Sequence, residues 1–254
     1  MRPHALSGRD SAEVERSAAE ASRVALGPVE VERYLNPPAD TPYGLEYAFH
    51  LLGDVRGKTV LDLGCGSGEN LIPLARRGAH VIGLDISPEL IELARRRLER
   101  YRIAHDSATL CVGTAYQTGL PDESIDMLFS SALLHHLDLL AVHNEIHRLL
   151  RPGGQFIFRE PIRFSRTANR LRRLFPSPQF EVSDFEHPMT RDEIAIITHG
   201  FTVLAERAFR LPFVPIFTKF NVCKKQIWLV DRWVLQHFPK LEHVATGKVM
   251  CLRK

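Results

Sequence analysis

From residue 58 onward, short apolar runs alternate with amphipathic helical stretches, and this alternation constrains the fold more than any other feature of the 254-residue chain. The runs are TVLDL (59–63), HVIGL (80–84), ATLCV (108–112), IDMLF (125–129) and QFIFRE (155–160). Helical periodicity falls between them at about 69–77, 88–102 and 138–150, with Ser87-Pro88 and Asp138 as start signals. Gly153-Gly154, after Arg151-Pro152, reads as a tight turn feeding the fifth run. Apolar runs of this kind are buried on both faces, which suits the middle of a doubly wound parallel sheet. A further helix is expected at 190–199, a strand at 201–208 and a last strand at 243–252.

The segments around this pattern differ in character. Residues 11–25 are rich in Ala, Glu and Arg and predict an exposed helix, a mobile N-terminal arm. Asn36-Pro37-Pro38 marks a break, after which Thr41 is expected to cap a helix carrying Leu45, Ala48, Phe49 and Leu52. Between 216 and 238, Ile216, Phe220, Cys223, Ile227, Val230, Val234 and Phe238 form one stripe of a long helix, widened by Trp228, Leu229 and Trp233. The net charge is only +3, which does not suit a dedicated nucleic-acid binder. The four cysteines form no Cys-x-x-Cys pair and are expected to be reduced thiols in a cytoplasmic protein. No secretory signal and no membrane-spanning stretch is read.

The strand TVLDL runs straight into GCGSGEN, placing Gly64, Gly66 and Gly68 in the first strand-to-helix turn, where open α/β sheets bind ligands. A dinucleotide fingerprint would need a third glycine at 69, but Glu69 stands there, and a carboxylate at the helix start repels a pyrophosphate. Asp85 ends the next strand, where a carboxylate can accept both hydroxyls of a ribose. The inferred ligand is adenosine without phosphate.

VLDLGCGSG (60–68), VIGLDIS (81–87), GTAYQTGLPDESIDMLFSSALLHHL (113–137) and LLRPGGQFIFREP (149–161), in that order and spacing, resemble motifs I to III of the class I S-adenosylmethionine-dependent methyltransferases. The resemblance is closest to the small-molecule branch with quinone-biosynthesis and sterol enzymes. It implies a Rossmann-like, doubly wound seven-stranded sheet, mostly parallel with an antiparallel last strand. Residues 1–40 would form an N-terminal helical arm or lid, and 41–254 the methyltransferase domain, with a helical cap inserted at about 161–200.

The resemblance also implies a cofactor, S-adenosyl-L-methionine, and places its contacts. Asp62 and the backbone of Gly64, Cys65 and Gly66 would hold the methionine end, with Gly68 completing the loop. Asp85 would take the ribose diol, Ile86 the adenine face and Ser131 the remaining methionine contacts. Where family members often carry an acid for the adenine amino group, this chain has Thr114, so the backbone around Thr114 and Ala115 must serve. Tyr34 and Tyr43 lie where an N-terminal segment folds over the cofactor, although ordinary helix packing explains them equally well.

Methyl transfer from a sulfonium needs alignment and exclusion of water, and a base where the acceptor is a hydroxyl or an acidic carbon. Candidates are His135 and His136 after the fourth strand and Glu160 at the end of the fifth, the last also readable as a surface or Arg-paired carboxylate. His187 reads as a turn residue. No metal is expected: His143 and His147 share a helix face but lack a third ligand, and Ser130 and Ser131 stand where the magnesium-dependent branch has an acid. NPPA (36–39) reads as a turn, and SSAL after the fourth strand argues against adenine or glutamine methylation.

The apolar segment LPFVPIF (211–217) and the Trp-bearing helix suggest an apolar or amphiphilic small-molecule acceptor and peripheral membrane contact, with a dimer interface or enlarged core as the plain alternative. The chain would be a monomer or a homodimer. An RNA methyltransferase is the rival reading, favoured only by Arg163, Arg166, Arg170, Arg172 and Arg173; a non-catalytic interaction module is another.

Overall fold

The computed structural model describes residues 8–23, 26–163, 187–214, 217 and 224–254. Its strands are β1 (Thr59–Leu63), β2 (His80–Asp85), β3 (Ala108–Val112), β4 (Ile125–Ser131), β5 (Leu150–Pro161), β6 (Thr202–Phe209) and β7 (Gly247–Arg253). They form one seven-stranded sheet in the order β3-β2-β1-β4-β5-β7-β6. β1 to β5 pair in parallel, and β7 runs antiparallel to both β5 and β6. Strand order reverses between β1 and β4, which opens a crevice at the carboxyl ends of these strands.

The helices are α1 (Gly8–Arg23), α2 (Val31–Leu35), α3 (Gly44–Leu51), α4 (Leu71–Arg76), α5 (Pro88–Arg100), α6 (Leu139–Leu149), α7 (Arg191–Thr198) and α8 (Lys224–His237). Side chains alternate across the sheet, as the pleat requires. Phe129, Ile157 and Val249 pack with Phe49 of α3, Leu74 of α4 and Ile91 of α5, while Leu128, Phe156 and Phe158 pack with Val142 and Ile146 of α6 on the other face. Helix starts follow local chemistry: Ser87 accepts from Leu90 N, Asp138 from Leu140 N and Ala141 N, and Thr190 with Glu193 closes a capping box.

Several expectations are corrected. The 11–25 arm is not exposed throughout: α1 packs along α5 and buries Ser17. Thr41 does not cap α3. Tyr43 holds that position, while the Thr41 hydroxyl donates to Glu46 and accepts from Tyr43 N. Gly153-Gly154 lies within β5 rather than ahead of it, because pairing begins at Ile125 with Leu150 and slips before Met127 meets Gln155. The last strand starts at Gly247, after a 3₁₀ turn over Pro239–Val244.

The apolar stripe is described only in part. Ile216, Phe220 and Cys223 lie outside the described residues, as do 164–186 of the expected cap with Arg166, Arg170, Arg172 and Arg173. Along α8, Val230 and Phe238 of the stripe are exposed, together with Leu229 and Trp233, whereas Asp231 and Leu235 are buried. The cause is polar. The turn after β6, where Arg210 has a φ of 68°, offers two backbone N–H groups, and the Asp231 carboxylate accepts from Arg210 N at 2.9 Å and Leu211 N at 2.7 Å. Satisfying these donors turns the Asp231 face inward and an apolar face outward. No helix among the described residues is long and apolar enough to cross a membrane.

Candidate active site

β1 delivers Asp62 to the carboxyl edge of the sheet, and the chain then turns sharply. Gly64 N and Cys65 N donate to Leu84 O at 2.8 and 3.0 Å, which ties the turn to the end of β2. Gly66 has a φ of 52° with open space where a Cβ would stand, so a ligand can approach its backbone. Gly68 has a φ of 80°, and a Cβ there would lie 2.8 Å from that of Ala94, so close packing of the loop on α5 demands glycine.

Asp85 is both loop anchor and candidate ribose acceptor. Its Oδ2 accepts from Gly66 N at 2.8 Å and its Oδ1 from Ser87 N at 3.0 Å. Each oxygen keeps a lone pair, so a diol can add two bonds without displacing either. Burial pushes this carboxyl above its ordinary range, opposed by the backbone bonds. Replacing Asp85 with Ala is expected to lower affinity for S-adenosylhomocysteine by at least about 100-fold, because each bond to a charged group contributes ~1.5–3 kcal/mol. Calorimetry checks this, and unchanged affinity would remove Asp85 from the ribose role.

Asp62 presents the opposite situation. It is wholly buried, and neither carboxylate oxygen has a hydrogen-bond partner among the described residues. Burial, and secondarily the charge of Asp85, push its pKa up to about 8. Such a group lacks a cationic donor, and an α-ammonium at the turn would supply one. An open backbone at Gly66, an orphaned carboxylate below and a half-engaged carboxylate beside it fit an adenosyl amino acid.

Gly64, Asp85, Ile86, Thr114 and Ala115 line one cleft. The Thr114 hydroxyl accepts from Tyr116 N at 3.2 Å, which leaves the neighbouring backbone to meet an adenine edge. Ser17 of α1 and Leu133 complete the lining and were not foreseen. The Tyr43 ring packs on Trp228 at 5.5 Å beneath Arg33, and Tyr34 packs on Phe49, in line with the helix-packing alternative for both. Cys65 is buried below the loop, its thiol pushed well up by burial. Ser131 accepts from Arg159 Nη1 at 2.8 Å and is not part of the cleft lining.

Arg97 of α5 is a site residue that sequence reasoning missed. It is fully buried beneath the loop, donates to Ser67 O at 2.6 Å and Ser67 Oγ at 2.8 Å, and faces Glu69 at 3.4 Å. The signal was its spacing: it follows Ala94 by one turn on the face that also buries Leu90 and Leu98.

His136 lines the cleft, and its ring lies 4.0 Å from that of His135. Glu160 is neither surface-exposed nor Arg-paired. Its side chain is wholly buried, Oε1 accepts from Leu133 N and Leu134 N at 2.9 Å each, and Oε2 meets His135 Nδ1 at 2.7 Å. It therefore anchors the turn after β4, in which Ala132 takes a φ of 59°, and its contact fixes the His135 ring through Nδ1. Among the described residues no cluster could hold a metal ion; His143 Nε2 meets His199 O at 2.8 Å, and His187 lies 3.5 Å from Glu193.

A family model described as a methyltransferase domain matches residues 61–158, the stretch that builds this cleft. The chain is 32% identical over 168 residues to demethylmenaquinone methyltransferase of Tropheryma whipplei, covering 65% of this chain and 68% of that one. It is 37% identical over 112 residues to a sterol 24-C-methyltransferase of Aspergillus fumigatus, covering 43% of this chain. The chain spans less than half the length of several curated relatives it matches, 29% of the Aspergillus protein. The fold is similar to geranyl diphosphate C-methyltransferase from Streptomyces coelicolor, solved with Mg2+, geranyl diphosphate and S-adenosyl-L-homocysteine, at TM-score 0.64, 15% identity and 98% coverage of both chains. Identity of about a third over two thirds of the Tropheryma relative, together with the match over the strands and turn that carry Asp62 and Asp85, establishes common descent: the chain belongs to the S-adenosylmethionine-dependent methyltransferase family.

Proposed function

We propose that this protein transfers a methyl group from S-adenosylmethionine to an oxygen or carbon of a small lipophilic acceptor. The observation that carries the proposal is the carboxylate pair at the turn: Asp62 buried without a partner and Asp85 with one lone pair free on each oxygen. Asp62 would hold the ammonium end of the cofactor, Asp85 the ribose, and the backbone at Thr114 and Ala115 the adenine. When bound, the cofactor supplies an electrophilic methyl group on a sulfonium. His135, oriented through Nδ1 by Glu160, takes the acceptor's proton on Nε2. Glu160 acts by positioning and does not itself carry the proton.

The outward apolar face of α8 supports an acceptor drawn from a lipid phase. Leu229, Val230, Trp233 and Phe238 are exposed beside the exposed Lys225 and Lys240, and such a face suits a headgroup boundary. Isotope transfer from methyl-labelled cofactor to acceptors graded by hydrophobicity tests the activity, and flotation with vesicles rich in phosphatidylglycerol tests the surface. Turnover should rise with acceptor hydrophobicity, and the protein should float. Preference for hydrophilic acceptors with no flotation would assign α8 to a subunit interface.

A further inference from the structure

Ser131 and Arg159 stand opposite each other at the carboxyl ends of β4 and β5, and Arg159 donates to Ser131 Oγ at 2.8 Å. Alternation along β5 sends Arg159 to the same face as Ile157, where Tyr34 also packs, and Glu160 to the face of Phe158. Glu160 has both oxygens engaged by Leu133 N, Leu134 N and His135, so its field reaches Arg159 but no bond does. Among the described residues no carboxylate lies within ion-pair distance of Arg159. Arg159 is half-buried, and burial pulls its guanidinium below its ordinary value, opposed by Glu160 and Tyr34. An arginine keeps its charge under such conditions, and its one side-chain partner among the described residues, the neutral Ser131 hydroxyl, does not offset that charge.

We propose that Arg159, with Ser131 beside it, is the anion-binding subsite for the methyl acceptor, so that the substrate carries a planar oxyanion of carboxylate or enolate type. The inference rests on the methyl-transfer reading for the acceptor's role, but the charge argument concerns Arg159 alone. A guanidinium offers five N–H donors in a fork that matches two oxygens of one planar group, and the single bond to Ser131 leaves most of them available. The position is also apt. The cofactor cleft gathers residues at the ends of β1, β2, β3 and β4, and Arg159 stands at the end of β5, the next strand along that edge.

Binding of decanoate and of decanol, measured by calorimetry with the protein saturated in S-adenosylhomocysteine, tests the subsite. Decanoate should bind at least about tenfold tighter than decanol, the scale of one charge-assisted bond pair. Arg159→Gln should erase that preference and Arg159→Lys should restore part of it, while affinity for S-adenosylhomocysteine stays within a few-fold in both variants. Equal binding of the two probes by the wild type, or a preference that survives Arg159→Gln, would overturn the subsite. Loss of S-adenosylhomocysteine binding in Arg159→Gln would also overturn it and assign Arg159 to cofactor binding or to folding. If the wild type takes decanoate but not S-adenosylhomocysteine, the methyl-transfer reading fails and the anion site stands.

Discussion

Asp62→Asn is expected to lower affinity for S-adenosylmethionine and S-adenosylhomocysteine by about 100-fold or more, since loss of one partner of a buried charge pair costs ~3–5 kcal/mol. It should also flatten the pH dependence of binding. In the cofactor-free protein Asp62 titrates at about 8, so below that pH it is neutral and must release a proton to meet an ammonium. Affinity should therefore rise with pH by up to tenfold per unit and level off above about 8. Calorimetry in buffers of differing ionisation enthalpy should detect close to one proton released below pH 7 in the wild type and none in the variant. Absence of proton release in the wild type would separate Asp62 from the ammonium.

The same shift acts on stability. A carboxyl whose folded pKa lies above its unfolded one stabilises the fold at low pH, and that contribution is lost as pH rises from about 4 through about 8. The melting temperature of cofactor-free protein should fall across that window, and Asp62→Asn should remove this component.

Glu160 carries the second large effect. Glu160→Ala leaves Leu133 N, Leu134 N and His135 Nδ1 without their acceptor in a buried turn, and a loss of ~3–5 kcal/mol in unfolding free energy is expected. Glu160→Gln separates stability from chemistry. Its amide oxygen can still accept from the two backbone groups, but its NH₂ then faces His135 Nδ1 and drives the ring proton to Nε2. Turnover should fall by ~10²–10⁴-fold, the usual worth of a general base, with S-adenosylhomocysteine affinity nearly unchanged. Full activity in Glu160→Gln, as measured by initial rates at saturating cofactor, would reduce the His135–Glu160 contact to scaffolding.

Legibility differed between local and distant chemistry. β1 and β3 were read to the residue from their apolar runs, and Ser87 and Asp138 announced their helices, because period and capping act over four residues or fewer. The positions of Gly64 and Asp85 were likewise readable from a turn and the end of the next strand, whereas Asp62 was singled out only through the family resemblance. The packing of the Tyr43 ring on Trp228 of α8 is of the opposite kind, a contact that no local pattern announces.

The amino-acid sequence by itself determined the mostly parallel α/β sheet, the glycine turn and Asp85 at the end of the next strand, since each follows from side-chain type at short spacing. Only the tertiary structure decided what the buried polar groups do. Glu160 could have been a free acid or base until the fold set it against a histidine 25 residues away. Arg97 belonged to no local motif, and α5 carries it under a loop 30 residues distant. Asp231 turned α8 over because two backbone donors 20 and 21 residues away required an acceptor. A buried polar group takes its role from the partner that replaces water, and that partner is chosen by the packing of whole elements, which no local pattern encodes.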